Sequence, residues 1–190
     1  MPPRRHRPAL SFRAVNRADL PGHDPGLQRH HLLPHQLVTS RSFARLLNSA
    51  GRDRIGFDDF RRNGLLLPAA DDRARLLGLP LHRGPHRSYN AMVIERAGQI
   101  ERRWSRERLR SHDRALDEAL FRLGLLQRAL RRRLLDPRRR PLALNRHDPA
   151  IAPTAFDDLD AMAEMLWADA EVVQSLPDMR ETADLAALAQ

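Results

Sequence analysis

The sequence contains no cysteine, which excludes disulfides, thiolate metal sites and cysteine nucleophiles in one step. A metal held by this chain must use His, Asp, Glu, Asn or water. Lysine is absent too, since all 33 basic residues are arginine. A GC-rich genome is the simplest reading of that, so the lysine deficit says little about function. Aromatics make up 5% of the chain against 42% hydrophobic residues, so a core has to be built from leucine, valine and alanine. There is no run of about 18 apolar residues, and no transmembrane helix is expected. The basic start MPPRRHRPALSFRAV is not followed by the apolar stretch of a secretory signal. The expectation is a cytoplasmic chain, or one exported without such a signal. A Gly-rich phosphate loop, a GxSxG elbow and a zinc-finger cysteine set are also missing.

What is present is charge. Residues 1–149 hold 32 arginines against 15 acidic residues, a net +17, whereas residues 150–190 hold one arginine against nine, a net −8. A basic body attracts polyanions, and arginine contacts phosphate through two parallel donors. Nucleic acid is the expected partner, and a membrane is not. At 190 residues the chain has room for one domain, or one with a small appendage.

Four of the nine histidines fall into two pairs, His30-His31 in LQRHHLLPH and His82-x-x-x-His86 in PLHRGPHRSYN, with Asn63 between them in RRNGLLLP. Imidazole binds divalent transition metals and titrates near neutrality, so it serves as ligand or as general base. Adjacent histidines do not share one pocket inside a regular element. At a strand end, one can bind a metal while its neighbour reaches a water. The second pair shares a face if its segment is helical. Hydrolysis of a phosphodiester needs an aligned water, charge stabilisation at phosphorus and help for the leaving oxygen. Three histidines could hold an ion for the last two tasks and a fourth could take the proton of the water. His6, His23, His112 and His147 read as surface or satisfied core residues.

Residues 1–26 read as a basic, proline-punctuated irregular arm, disordered or an irregular strand. A strand is expected over Leu27–Leu33, stopped by Pro34. A helix capped by Thr39 or Ser40 follows, with Phe43, Leu46 and Leu47 on one face and Gly51 past its end. Asn63-Gly64 signals a turn before an apolar strand at Leu65–Leu67. Asp58 and Asp59 could bind metal but read first as capping or turn residues. A short helix should span Asp71–Leu77 and end at Gly78, and Pro85 should start a longer one through His86, Tyr89 and Val93. Leu109, Leu116, Leu123 and Leu130 are seven apart, which predicts an amphipathic helix over 105–135 and a stripe for a partner helix, in the same chain or a second copy. Arg131-Arg132-Arg133 and Arg138-Arg139-Arg140 read as solvated basic faces around Pro137. A linker over 136–153 leads into an acidic C-terminal helix with Thr154 and Asp157 at its start. That helix is expected to dock on the 105–135 helix.

With these residues the segment resembles the His-Me finger, or HNH and endonuclease VII-like, nucleases. Within them it resembles the AHH family, often toxin domains of bacterial polymorphic toxin systems. The resemblance rests on RHHLLPH at 29–35, RNGLLLP at 62–68 and GLPLHRGPHRSYN at 78–90, and covers about residues 27–104. It implies an α+β, mainly helical fold with a ββα-metal core and added helices. It implies a metal-dependent endonuclease acting on nucleic acid, DNA favoured, using one divalent ion (Mg, Mn, Zn or Ni). By the same resemblance His30, His82 and His86 would be metal ligands, His31 the general base, and Asn63 the residue that shapes the hairpin and orients His31. Tyr89, Arg83 and Arg87 would contact substrate phosphate, and His35 is a further candidate ligand. A toxin would bring an immunity protein as a second partner. Arg29 stands where the family motif has alanine, and Asn63 lies 19 positions before His82, which leaves room for an inserted helix. Two other classes stay open: a non-catalytic nucleic-acid-binding protein with a structural metal site, and a helical protein that oligomerises through 105–135.

Overall fold

The computed structural model describes residues 7–136 and Leu144. The elements are β1 (Leu27–His31), α1 (Gln36–Thr39), α2 (Arg41–Ala50), α3 (Arg52–Ile55), α4 (Phe60–Asn63), β2 (Gly64–Pro68), α5 (Asp71–Leu77), α6 (Arg87–Glu107) and α7 (His112–Leu135). The fold is α+β and mainly helical, with one two-stranded antiparallel sheet. Local signals set several boundaries. Gly51 and Gly78 follow α2 and α5 with φ of 77° and 64°, a backbone that L side chains rarely adopt, so both helices stop there. Asp59 caps α4, its carboxylate accepting from Arg61 N.

The two strands pair with His30 opposite Leu65 and His31 opposite Gly64. They do not form a tight hairpin, because α1 to α4 lie between them. Gly64 has φ of −115° and is extended, so Asn63-Gly64 is a helix-to-strand junction and not a turn at positive φ. Glycine is needed there for a different reason: a Cβ on Gly64 would come within 2.2 Å of the Phe60 ring. The strands position the site, and Leu65, Leu67, Leu32 and Leu33 bury the chain around it.

The helix expected over 105–135 is two elements. α6 runs on to Glu107, and α7 starts after Ser111, whose extended backbone and the following Asp113 make a helix start. Leu109 falls in the link and is 79% exposed, so it leaves the stripe. Leu116, Leu123, Leu130 and Leu134 are buried. α7 packs on α6, α2, α3 and α4 of the same chain. The partner of the stripe is therefore internal, and those leucines offer no face to a second copy.

Two further expectations change. Residues 8–26 are irregular, with one 3-10 turn at Phe12–Ala14, yet they are tied down. Asn16 takes φ of 51°, and its side chain bonds Asp24 and Leu27, closing the segment on itself. Arg131 and Arg133 do not lie on a solvated face. Arg133 is buried, and Arg131 is half-buried with its guanidinium donating to the carbonyls of Arg61 and Gly64 at 2.8 Å. The second arginine run, the linker and the acidic helix lie outside the described residues, as does any docking of that helix. Among the described residues no helix is long and apolar enough to cross a membrane.

Candidate functional site

Side chains alternate along β1, so Gln28 and His30 point one way and His31 the other. His30 is 3% exposed, whereas His31, the last residue of the strand, is half-buried. His82 does not lie on a helix: it sits in the irregular link between α5 and α6, its backbone N–H donating to Pro68 O at the end of β2 at 2.7 Å. His86 is the residue before α6 and has non-helical backbone angles. The HxxxH pair therefore meets through a loop that folds back on the sheet, not through one turn of helix. The His82 and His86 rings lie 4.4 Å apart, and the His30 ring is 5.1 Å and 5.5 Å from them.

One ring nitrogen from each of His30, His82 and His86 lies within 4.8 Å of the others. Two nitrogens sharing an ion at about 2.1 Å stand at most about 4.2 Å apart, so a small closing motion lets all three bind one ion. The donor chemistry fits as well. His82 Nδ1 donates to Gln28 Oε1 at 3.0 Å, and His86 Nδ1 donates to the carbonyl of Leu144 at 3.0 Å. An oxygen acceptor on Nδ1 leaves the lone pair on Nε2, free for a metal. His30 Nε2 is buried and has no hydrogen-bond partner. A buried imidazole nitrogen without a partner costs stability unless something else binds it.

Electrostatics point the same way. Burial holds His30 well below the ordinary imidazole range, with the charges of His82, His86 and His31 acting in the same direction. Burial, then His86 and His31, pushes His82 down to about 4. Both rings are neutral donors at neutral pH, as ligation requires. His31 is also lowered, first by burial and then by the charge of His35, with Asp58 opposing.

Asn63 is fully buried. Its Oδ1 accepts from Leu33 N at 2.8 Å and Gln127 Nε2 at 3.3 Å, while Nδ2 donates to the carbonyls of Phe57 and Leu33 at 3.0 Å and 3.3 Å. Its own carbonyl accepts from Leu32 N at 2.8 Å. Asn63 thus locks the backbone that follows the histidine pair. The His31 ring itself packs in parallel on Phe12, with centroids 3.8 Å apart and planes 5° apart.

The remaining candidates are not members of the three-histidine group. Tyr89 is fully buried and donates to Leu32 O at 2.8 Å, its ring centroid 5.0 Å from that of His30, so it packs against the cluster and presents no surface to a substrate. Burial raises its phenol out of the ordinary range. Arg83 and Arg87 are exposed beside the ligands, with Arg83 3.9 Å from Asp71. His35 is exposed next to Phe57, on the His31 side, and is not in the three-histidine group. Gln28, Phe12 and the Leu144 carbonyl were not legible as site groups. Gln28 alone had a signal, its position two residues before His30 on one strand face.

A family profile described as AHH, a nuclease family of the HNH/ENDO VII superfamily with conserved AHH, matches residues 11–129. No curated protein and no solved structure matches the chain.

Proposed function

This chain belongs to the AHH family of HNH/ENDO VII nucleases, and from that membership and its histidine geometry we propose a metal-dependent endonuclease that hydrolyses phosphodiester bonds, with DNA as the favoured substrate. The observation that carries the reading is the convergence of one ring nitrogen from each of His30, His82 and His86 within 4.8 Å, with a fourth imidazole, His31, outside the group. His30, His82 and His86 would hold one divalent ion. The chemistry such an ion supplies when bound is charge stabilisation at the scissile phosphate.

The protein's own groups do the rest. His31 is kept neutral and half-exposed, so a ring nitrogen can take the proton of the attacking water. Asn63 keeps the backbone of Leu32 and Leu33 in place, and with it the strand end from which His31 projects. Arg83 and Arg87, exposed on the segment that bears the ligands, would hold the phosphate on either side of the cut. The net +17 of residues 1–149 would draw the polyanion in. A purely structural metal site has no use for His31, which favours the catalytic reading over a non-catalytic binding protein. The toxin role implied by the family resemblance, with an immunity protein as partner, belongs to the same reading.

The test is incubation of the purified chain with plasmid DNA and with RNA. Cleavage should stop with chelator and return on adding back Mg, Mn, Zn or Ni. A rate indifferent to chelator would overturn the metal dependence. Failure to cut either polymer with any of these ions would overturn the nuclease assignment for this chain.

A further inference from the structure

The ring of the candidate base needs a holder, and the expected one makes no hydrogen bond to it. The amide of Asn63 spends its bonds on the backbone and on Gln127. Among the described residues no hydrogen bond reaches the His31 ring. What meets it is aromatic: Phe12 stacks on one face at 3.8 Å, and Phe57 lies 6.2 Å away, tilted by 32°. We propose that Phe12 is a positioning residue of the nuclease site, its ring holding the His31 imidazole in its working orientation, with residues 8–16 as the strap that keeps it there. This rests on the nuclease reading above.

A face-to-face contact restrains ring rotation while leaving both nitrogens at the open edges. A hydrogen-bonded orienting group would instead occupy one of them. The strap is anchored on the elements that carry the site. Leu10 N donates to Asp59 Oδ1 at 3.0 Å, and Phe60 N donates to Leu10 O at 2.7 Å, so the strap is bonded to the start of α4. Ser11 bridges Asp59, and Arg61 donates to Pro8 O at 2.9 Å. On the other side Arg29, the neighbour of His30 on β1, donates to Phe12 O at 3.0 Å. The edge of Phe60 against the Phe12 ring, at 5.2 Å and 76°, completes the seat. The residue that departs from the family motif, Arg29, is thus one that pins the strap.

The experiment compares the full chain with Phe12→Ala, Phe12→Leu and Phe12→Trp, on a labelled DNA duplex or an RNA strand, whichever the parent cuts. Phe12→Ala and Phe12→Leu should lower kcat about tenfold, with KM and Zn affinity within about twofold of the parent, because neither ligands nor phosphate contacts change. Phe12→Trp, which can still stack, should recover most of kcat. A parental kcat in Phe12→Leu, or an equal loss in all three variants, would overturn the proposal. Proton NMR supplies a readout that does not depend on cleavage, with the His31 resonances assigned by their loss in His31→Ala. The His31 ring protons should be shifted upfield in the parent and return downfield in Phe12→Leu. Unchanged positions would overturn the stack even if the parent cut nothing. If Phe12→Ala proves unfolded by circular dichroism, Phe12→Leu and the NMR shift decide.

Discussion

A neutral imidazole has one lone pair to give, and an acceptor on its other nitrogen fixes which nitrogen carries it; such acceptors are identifiable for His82 and His86. Gln28 Oε1 does this for His82. Gln28→Ala should weaken Zn or Ni binding on the order of 10- to 100-fold, the usual cost of losing such a partner. Gln28→Glu still offers an oxygen acceptor and should retain most of the affinity. Calorimetric titration of metal into each variant checks this, and parental affinity in the alanine variant would remove Gln28 from the site. The same rings govern acid stability. His82 sits at about 4 and His30 well below its ordinary value, while unfolded imidazoles titrate at about 6.5. Between those limits the unfolded chain binds more protons than the folded one. The stabilisation is therefore fully present above about 6.5 and is lost as pH falls toward 4. In chelator-treated protein Tm should drop across that window, and drop less in His82→Gln. An equal fall in both would assign the acid sensitivity elsewhere.

At the scale of elements, Asn63 joins β2 to the segment after β1, and this is where a single change should do most damage. Asn63→Ala leaves Leu33 N, Phe57 O and Gln127 Nε2 short of a partner in a fully buried place. Each buried group left unpaired costs about 1–3 kcal/mol, so the variant should lose several kcal/mol in urea denaturation, together with the site. A loss under about 1 kcal/mol would mean water replaces the amide. Asn63 also shows how far the sequence could be read. Its importance was visible, but its role in a tight turn was not borne out, because Asn-Gly also suits a helix-to-strand junction when glycine must clear a ring such as Phe60. β2, α2 and α5 were legible because Pro, Gly and capping residues act within a few positions. The α6–α7 break was missed because the leucine spacing runs through Leu109, while the start signal at Ser111 is short. The Phe12–His31 stack and the His86–Leu144 bond join distant positions, one through an irregular segment and one through a backbone carbonyl. Neither leaves a periodic mark in the sequence.

For the molecule as a whole, the charge split between residues 1–149 and 150–190 is a matter of long-range fields rather than contacts. The +17 portion should bind any polyanion through counterion release, with affinity falling steeply as salt rises. The −8 portion lowers the net charge of the whole chain, so it should act as a brake on non-specific binding. A chain ending at Ala150 keeps Leu144, whose carbonyl accepts from His86, while removing the nine acidic residues of the C-terminal portion. Measured by anisotropy on a labelled duplex, with chelator present to prevent cleavage, the shortened chain should bind more tightly at about 50 mM salt. The two curves should converge toward about 1 M, where the screening length falls to about 3 Å. Matched circular dichroism spectra would show that both chains are folded. Equal affinity throughout the titration would deny the acidic residues any electrostatic role. A constant offset that survives high salt would assign them to a direct contact instead.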